Sequence, residues 1–505
     1  MIWRPTGKMV KNKITLLNTA STLLLQIIML FAGFIIPKLI LDAFGSDVNG
    51  LVSSLTQFLN YIALVEGGIT GVIVATLYRP LTRHDNEKIS SILSAARKFY
   101  NKIGLVFIIY TIVLAVVYPL VFNTGFSFLY VASLTIILSI SLVIQYMMAL
   151  TYRTLLNADK KIYVVSFTQA IIQILGIILA FISIKVFPDI HLFKFLTGIV
   201  FILQPIVFSR YVKKHYEIKS DAVGDNSLIK GRWNGFAINT AAFIHNSTDV
   251  AVLTIFTNLA TVSVYSVYAL ITNGIKSIIN SLVSSLNPTL GHAYAREDFD
   301  DLNQKIDMYE YIVFMLVFLI FSVAGLLITP FVSIYTSGLT DADYFQPLFG
   351  VLLVISEALY LLKFPHLNLA YSANKFKEIS KPAFIEAGLN IVISVALAPF
   401  LGIIGVAIGT IVAMTYRMIF HVYFTSKIVP GRHQWIFYRK LILFVVAAVV
   451  GILICMLIPG VDGTIASWIW HAAAYSVIIG ISLSIISLVF FRNELGFLKK
   501  YLKKR

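Results

Sequence analysis

Charge is scarce in this chain. Only 13% of its 505 residues are Asp, Glu, Lys or Arg, about half the share in a soluble globular domain, whereas 58% are apolar. That shortage excludes an ordinary water-soluble fold and makes the bilayer the solvent. Cysteine is nearly absent: with Cys455 alone there is no intramolecular disulfide and no Cys-based metal cage. The phosphate cradle G-x-x-x-x-G-K-[ST], paired histidines at metal-ligand spacing and the G-x-S-x-G elbow are all missing. An ATP-hydrolysing pump and an enzyme are therefore not expected. The connections expected on the outer side are a few residues long, so they hold no catalytic domain of the kind a membrane polymerase or glycosyltransferase needs.

What fills the chain is long apolar runs. They lie at about 14–41, 48–77, 103–122, 128–155, 162–185, 191–212, 236–256, 261–292, 309–332, 344–370, 379–399, 402–425, 438–458 and 465–490. At about 1.5 Å per residue each crosses a hydrocarbon core of about 30 Å, whereas barrel strands would be about ten residues long and alternate in polarity. The expectation is an all-α polytopic membrane protein with 14 transmembrane helices. The basic stretch Met1 to Lys13 leads into a run too long for a cleaved signal peptide and reads as part of a retained first span.

Loop charge sets the orientation. Arg4, Lys8, Lys11 and Lys13 precede span 1. The even-numbered connections carry Arg79, Arg83 and Lys88, then Lys160 and Lys161, then Lys213, Lys214, Lys219, Lys230 and Arg232, then Lys375, Lys377 and Lys381, then Lys427, Arg432, Arg439 and Lys440. The odd-numbered connections have little beyond Lys185 and Lys194. Both termini are therefore expected in the cytoplasm of a multi-pass cell-membrane protein. The acidic stretch from Arg296 to Glu310 dissents, but acidic residues weigh little in orientation. The formal charge of +16 is accounted for by these loops and the basic tail, so nucleic acid is not an expected partner, and anionic membrane lipid is.

Short echoes recur in the same order about 216 residues apart. Asn86-Glu87-Lys88-Ile89 returns as Asn303-Gln304-Lys305-Ile306, each preceded by a tyrosine, Tyr78 and Tyr294. Ala158-Asp159-Lys160 returns as Ala373-Asn374-Lys375, and Asn18-Thr19-Ala20 as Asn239-Thr240-Ala241. Six spans separate the copies, an even number, so the repeats are parallel about an axis along the membrane normal. The organisation read from this is a lobe over 1–212 (spans 1 to 6), a cytoplasmic linker over 213–235, a second six-helix lobe over 236–426, and spans 13 and 14 with the basic tail over 427–505.

Function should reside in polar groups inside the spans, where an ionisable residue costs roughly 2.5–3.5 kcal/mol to insert. In span 8, Asn273, Lys276, Asn280, Ser284 and Asn287 follow helical spacing and share one face. Span 7 offers Asn239, Asn246 and Asp249 on one face, beside His245. Asp249 lies about 20 Å from its expected cytoplasmic start and Lys276 about 22 Å from its outer start, depths at which the two can pair. The pair reads either as a structural lock or as part of a cavity lining. Span 2 carries Gln57, Asn60 and Glu66, the last followed by Gly67 and Gly68, a place for a helix break that exposes backbone to a cavity. Lys38, beside Pro37 near the outer end of span 1, either serves the cavity or snorkels to the interface. Glu357, Lys363 and His366 in span 10 do not share a face, and Glu386 and Arg417 lie toward the cytoplasmic ends of spans 11 and 12.

The stretch Phe44-Gly45-Ser46-Asp47-Val48-Asn49-Gly50-Leu51-Val52-Ser53-Ser54-Leu55-Thr56-Gln57-Phe58-Leu59, with Leu64-Val65-Glu66-Gly67-Gly68, Leu77-Tyr78-Arg79-Pro80-Leu81 and Asn86-Glu87-Lys88-Ile89, resembles the capsular and exopolysaccharide repeat-unit flippases of Gram-positive bacteria. These belong to the multidrug/oligosaccharidyl-lipid/polysaccharide exporter superfamily. The resemblance implies two six-helix lobes around a central cavity lined by spans 1, 2, 7 and 8, with spans 13 and 14 flanking. Lys38, Gln57, Asn60, Glu66, Asn246, Asp249, Asn273, Lys276 and Asn280 fall on those four spans. It also implies translocation of undecaprenyl-diphosphate-linked oligosaccharide to the outer leaflet by alternating access, for capsule or other surface polysaccharide, with a polysaccharide polymerase and other assembly proteins as partners. No cofactor is implied, and coupling to an H⁺ gradient, a Na⁺ gradient or the membrane potential is open. A multidrug/cation antiporter of the same superfamily is the alternative.

Overall fold

A computed structural model describes residues 7–66, 69–219, 224, 247–284 and 286–503. Every regular element among them is helical, as hydrocarbon demands of a chain whose peptide groups find no water to bond. Among the described residues, twelve helices are long and apolar enough to cross a bilayer. Two features account for the difference from fourteen. Span 1 and the start of span 2 run together as α1 (Gly7–Asn60), which turns sharply at Gly45 without ending. Of span 7, only the short helix α10 (Ser247–Phe256) lies within the described residues. The turn at Gly45 has φ 81° and ψ 179°, a conformation that a side chain disfavours and glycine permits.

The chain divides into two compact units, residues 1–243 and 244–505. In the first, α1 is followed by the rest of span 2 in two pieces, α2 (Ile62–Glu66) and α3 (Ile69–Thr82). Then come α4 (Asn86–Val121), α5 (Phe128–Ile144), a π-helical turn (Gln145–Ala149), α6 (Leu150–Ala158), α7 (Ile162–Val186), α8 (Ile190–Ile199) and α9 (Leu203–His215). The long helices pack chiefly as α1 on α7 and α4 on α5, with α8 against α5 and α7. Asp85, Ser127 and Asp189 cap α4, α5 and α8 by accepting backbone N–H bonds from the first turn, which leaves fewer orphan donors at these ends.

The second unit continues from α10 through α11 (Leu259–Ser284), α12 (Asn287–Ala295), α13 (Phe299–Tyr335), α14 (Pro347–Leu362), α15 (Phe364–Ser372), α16 (Phe376–Leu401) and α17 (Ile403–Ile428). It ends with α18 (Gln434–Cys455), α19 (Ile465–Phe490) and α20 (Arg492–Lys503). Expected spans 13 and 14 are α18 and α19, which pair with each other and pack on α13. Helices α16 and α17 pack extensively, and Gly405 and Gly409 let their backbones approach: a Cβ on Gly405 would sit 2.7 Å from the Leu397 carbonyl carbon. Leucines and phenylalanines such as Leu120, Phe400 and Leu457 stand outward, 70–84% exposed, with hydrocarbon to meet rather than water.

The internal duplication is written in the backbone. Among the described residues, four that are not glycine have positive φ: His84, Lys160, Glu297 and Asn374, at 52–60°. They form two pairs, His84 with Glu297 and Lys160 with Asn374, 213 and 214 residues apart. Around the second pair the closing bonds match as well: the Lys161 amide donates to the Leu156 carbonyl at 2.8 Å, and the Lys375 amide to the Ala370 carbonyl at 2.9 Å.

Candidate functional site

In the first unit the buried polar chemistry converges on Glu66, at the C-terminal end of α2. Thr70 donates to one carboxylate oxygen at 2.5 Å, and Tyr146 donates to the other at 3.0 Å. Tyr146 belongs to the π-helical turn, where the Leu150 amide reaches back to the Gln145 carbonyl and one extra residue is accommodated in the helix. Behind them the Tyr100 hydroxyl bridges Thr70 at 3.0 Å and Thr154 at 3.2 Å. Lys38 pairs with Asp42 one turn on, at 2.6 Å, with both side chains partly exposed. Gln57 and Asn60 are half-buried on the last turns of α1, next to Phe58, whose carbonyl accepts from Tyr110 at 2.7 Å.

The second unit holds the rest. Lys276 meets Glu357 of α14, not Asp249, with Nζ 3.0 Å from the carboxylate, and its ammonium stands 5.0 Å from the centre of the Tyr360 ring. This corrects the expected pairing of Lys276 with Asp249. Similar depth left the rotation about each helix axis undetermined, and α14 presents Glu357 to α11. Asn273 and Asn280 are exposed on α11, and Lys276 lies between them. The Asp249 carboxylate, 9% exposed, instead accepts from Tyr265 at 2.8 Å and from Thr410 at 3.3 Å. Asn390 donates to Thr410 at 3.0 Å, while Asn390 Oδ1 and the Ser394 hydroxyl are buried with no hydrogen-bond partner. Asn246, Asn239 and His245 lie outside the described residues, as do Gly67 and Gly68.

Two further clusters went unread in the sequence. Glu386 of α16 lies 3.6 Å from Lys363 and 3.2 Å from Arg417, whose Nε also donates to His421 at 2.9 Å. Span 10 breaks at Lys363, between α14 and α15, so the faces computed for one straight helix did not apply. Nearer the loops, Asp307 and Glu310 of α13 bind Lys440 and Arg432, and His366 lies 3.2 Å from Glu310. The signal available was an acid inside an apolar run, Glu310, facing two cations that had been assigned to a loop and its edge.

No protein-family model and no curated protein matches the sequence. Solved structures do match. The lipid II flippase MurJ in an inward closed conformation superposes with a TM-score of 0.73 at 16% identity, over 95% of this chain and all of that one. An inward-facing multidrug resistance MATE family transporter of the MOP superfamily gives 0.61 at 14% identity, over 80% and 96%. The MATE multidrug transporter DinF-BH gives 0.62 at 15% identity, over 85% and 99%. These neighbours are flippases and transporters rather than enzymes, and the expected two-lobed, all-helical membrane architecture is theirs. The chain is thus a multi-pass membrane protein with the fold shared by MurJ and the MATE transporters of the MOP superfamily.

Proposed function

We propose that this protein is a flippase for polyprenyl-diphosphate-linked oligosaccharide, carrying the glycan from the cytoplasmic to the outer leaflet by alternating access. The observation that carries this reading is Lys276, a cation 15% exposed on the polar face of a membrane-length helix and neutralised by Glu357. A diphosphate competes with Glu357 for that ammonium, and charge-assisted bonds to phosphate are among the stronger polar contacts. The polyprenyl tail never needs to leave lipid, so the carrier supplies only a polar path for the headgroup. With the cell interior negative, two phosphate charges moving outward release about 4.6 kcal/mol per 100 mV, which drives the step without a nucleotide.

Asp249 is the proposed seat of the coupling ion. Its carboxylate, the Thr410 hydroxyl and the unpartnered oxygens of Asn390 and Ser394 form an oxygen-only set suited to Na⁺, with proton uptake by Asp249 as the competing mode. Glu66, held by Thr70 and Tyr146, is the proposed gating acid of the first unit. The glycan is taken to serve capsule or another surface polysaccharide, alongside a polymerase and other assembly proteins, with both termini cytoplasmic. The test is depletion and replacement in cells. Lys276→Ala should cause lipid-linked oligosaccharide to accumulate on the cytoplasmic leaflet. Normal export in that variant, or drug sensitivity without glycan accumulation on depletion, defeats the proposal and favours the cation antiporter.

A further inference from the structure

A cavity of about 450 Å³ opens in the first unit where α3 and α6 end, lined by Tyr78, Leu81, Thr82, Ala158, Asp159 and Lys160. It lies at the end of the unit where α1 begins, since Asn18 of α1 donates to the Lys160 carbonyl at 2.7 Å. Leu81 and Ala158 contribute apolar lining. Tyr78 is 52% exposed, so its ring is free to be covered. The Asp159 carboxylate is already occupied by the Tyr216 hydroxyl at 2.5 Å and by Lys161 at 3.0 Å. Lys160 is exposed and, among the described residues, its ammonium has no partner; the same holds for Arg79 and Arg83 on the neighbouring end of α3. The charge this cavity offers is therefore positive.

The duplication shows that this charge is not required by the turn. Lys160 sits at φ 60°, where lysine is disfavoured and asparagine is among the tolerated residues. Asn374 occupies the matching turn of the second unit at φ 56°, and Glu297 with Asp298 stands where the first unit has His84 with Asp85. At these two turns unit 1 thus carries Lys160 and His84 where unit 2 carries Asn374 and Glu297, while Tyr78 and Arg83 have counterparts in Tyr294 and Arg296. A residue that strains its backbone where a relaxed alternative exists points to a use for its side chain.

We infer that this cavity is a docking site for the diphosphate of a polyprenyl-linked glycan before translocation, with Lys160 on the phosphates, Arg79 and Arg83 adding to the local field and Tyr78 covering the first sugar. The inference rests on the proposed substrate class and adds a site at the ends of α3 and α6, apart from the residues proposed for translocation. Cations in a partly enclosed rim raise the local concentration of an anionic headgroup, and an aromatic face with hydroxyl acceptors such as Thr82 suits a sugar ring.

The test uses the full-length protein in phosphatidylcholine nanodiscs with geranylgeranyl diphosphate as the probe. Lys160→Asn, which installs the residue of the sister turn, should weaken binding about tenfold, as expected for one lost charge-assisted contact. Its melting temperature should stay the same or rise. Inorganic pyrophosphate should compete for the wild type and lose that ability in the variant, and a glycan-bearing probe should bind more weakly to Tyr78→Ala. Unchanged affinity in Lys160→Asn overturns the docking site alone, whereas a wild type that binds no diphosphate lipid overturns the substrate reading with it. Equal, Lys160-dependent competition by phosphatidylglycerol nanodiscs also overturns it, by making the rim a site for bulk anionic lipid.

Discussion

Lys440 Nζ lies 2.9 Å from Oε2 of Glu310, and neither side chain has exposed surface. Two fully shielded charges in a membrane protein survive only because each is satisfied several times over. Lys440 also meets Asp307 at 2.5 Å, and Arg432 reaches both acids. Burial opposes the charge on Arg432, and the Glu310 and Asp307 carboxylates more than offset this, holding its pKa above the ordinary arginine value. The cluster clamps α18 and the turn before it onto α13.

Removing one side of this clamp should be far worse than removing both. Lys440→Met leaves Glu310 short of a partner and is expected to cost about 3–5 kcal/mol, read as a lower melting temperature in detergent. Lys440→Met combined with Glu310→Leu should recover a large part of that loss. A single variant as stable as the wild type would show that the charges contribute nothing.

The α16–α17 contact makes a graded prediction. Gly405→Ala places a methyl 2.7 Å from backbone that cannot move aside, and is expected to destabilise by about 1–3 kcal/mol. Gly409→Ala meets the Ser394 hydroxyl first, at 2.3 Å, so pairing it with Ser394→Ala should relieve part of its cost. Equal melting temperatures for the two single variants would contradict this ranking.

Much of the architecture was legible because hydrophobic run length and loop charge are one-dimensional signals. The long spans follow from them, and the duplication was legible in the recurring short motifs around Asn86 and Asn303. Partnership was not legible, because it depends on how each helix is rotated and where it breaks. Lys276 was read on one face with Asn273 and Asn280, but its partner Glu357 was missed because depth along a span does not fix how each helix is rotated. Arg432 and Lys440 were counted as loop charges setting orientation. They are buried at the edge of the membrane domain, and the acids that draw them in, Asp307 and Glu310, came from the stretch dismissed as weak in orientation. The π-helical turn at Gln145–Ala149 has no sequence signature at all, since a single inserted residue leaves apolar periodicity nearly intact.

Ion coupling at Asp249 can be tested without transport. If Na⁺ binds there, raising Na⁺ at constant ionic strength should stabilise the protein by up to about 2.7 kcal/mol at a hundredfold excess over Kd, read as a higher melting temperature than in K⁺ or choline. Asp249→Asn should abolish the difference, and Ser394→Ala should reduce it. A melting temperature indifferent to Na⁺ in the wild type but dependent on pH would assign the site to a proton instead.

Glu66 and Tyr146 should act as a unit. Their 3.0 Å bond joins the end of α2 to the π-helical turn, so a signal at one reaches the other only while that bond exists. Tyr146→Phe keeps the ring against Phe107 and removes only the hydroxyl, a loss of about 1.5–3 kcal/mol for a hydrogen bond to a charged group. Glu66→Gln removes the charge. The double variant should be little worse than either single one, in both melting temperature and glycan export, giving a coupling energy of about 1–3 kcal/mol. Additive effects would mean that the two residues are neighbours without a shared role, and that the π-helical turn serves packing alone.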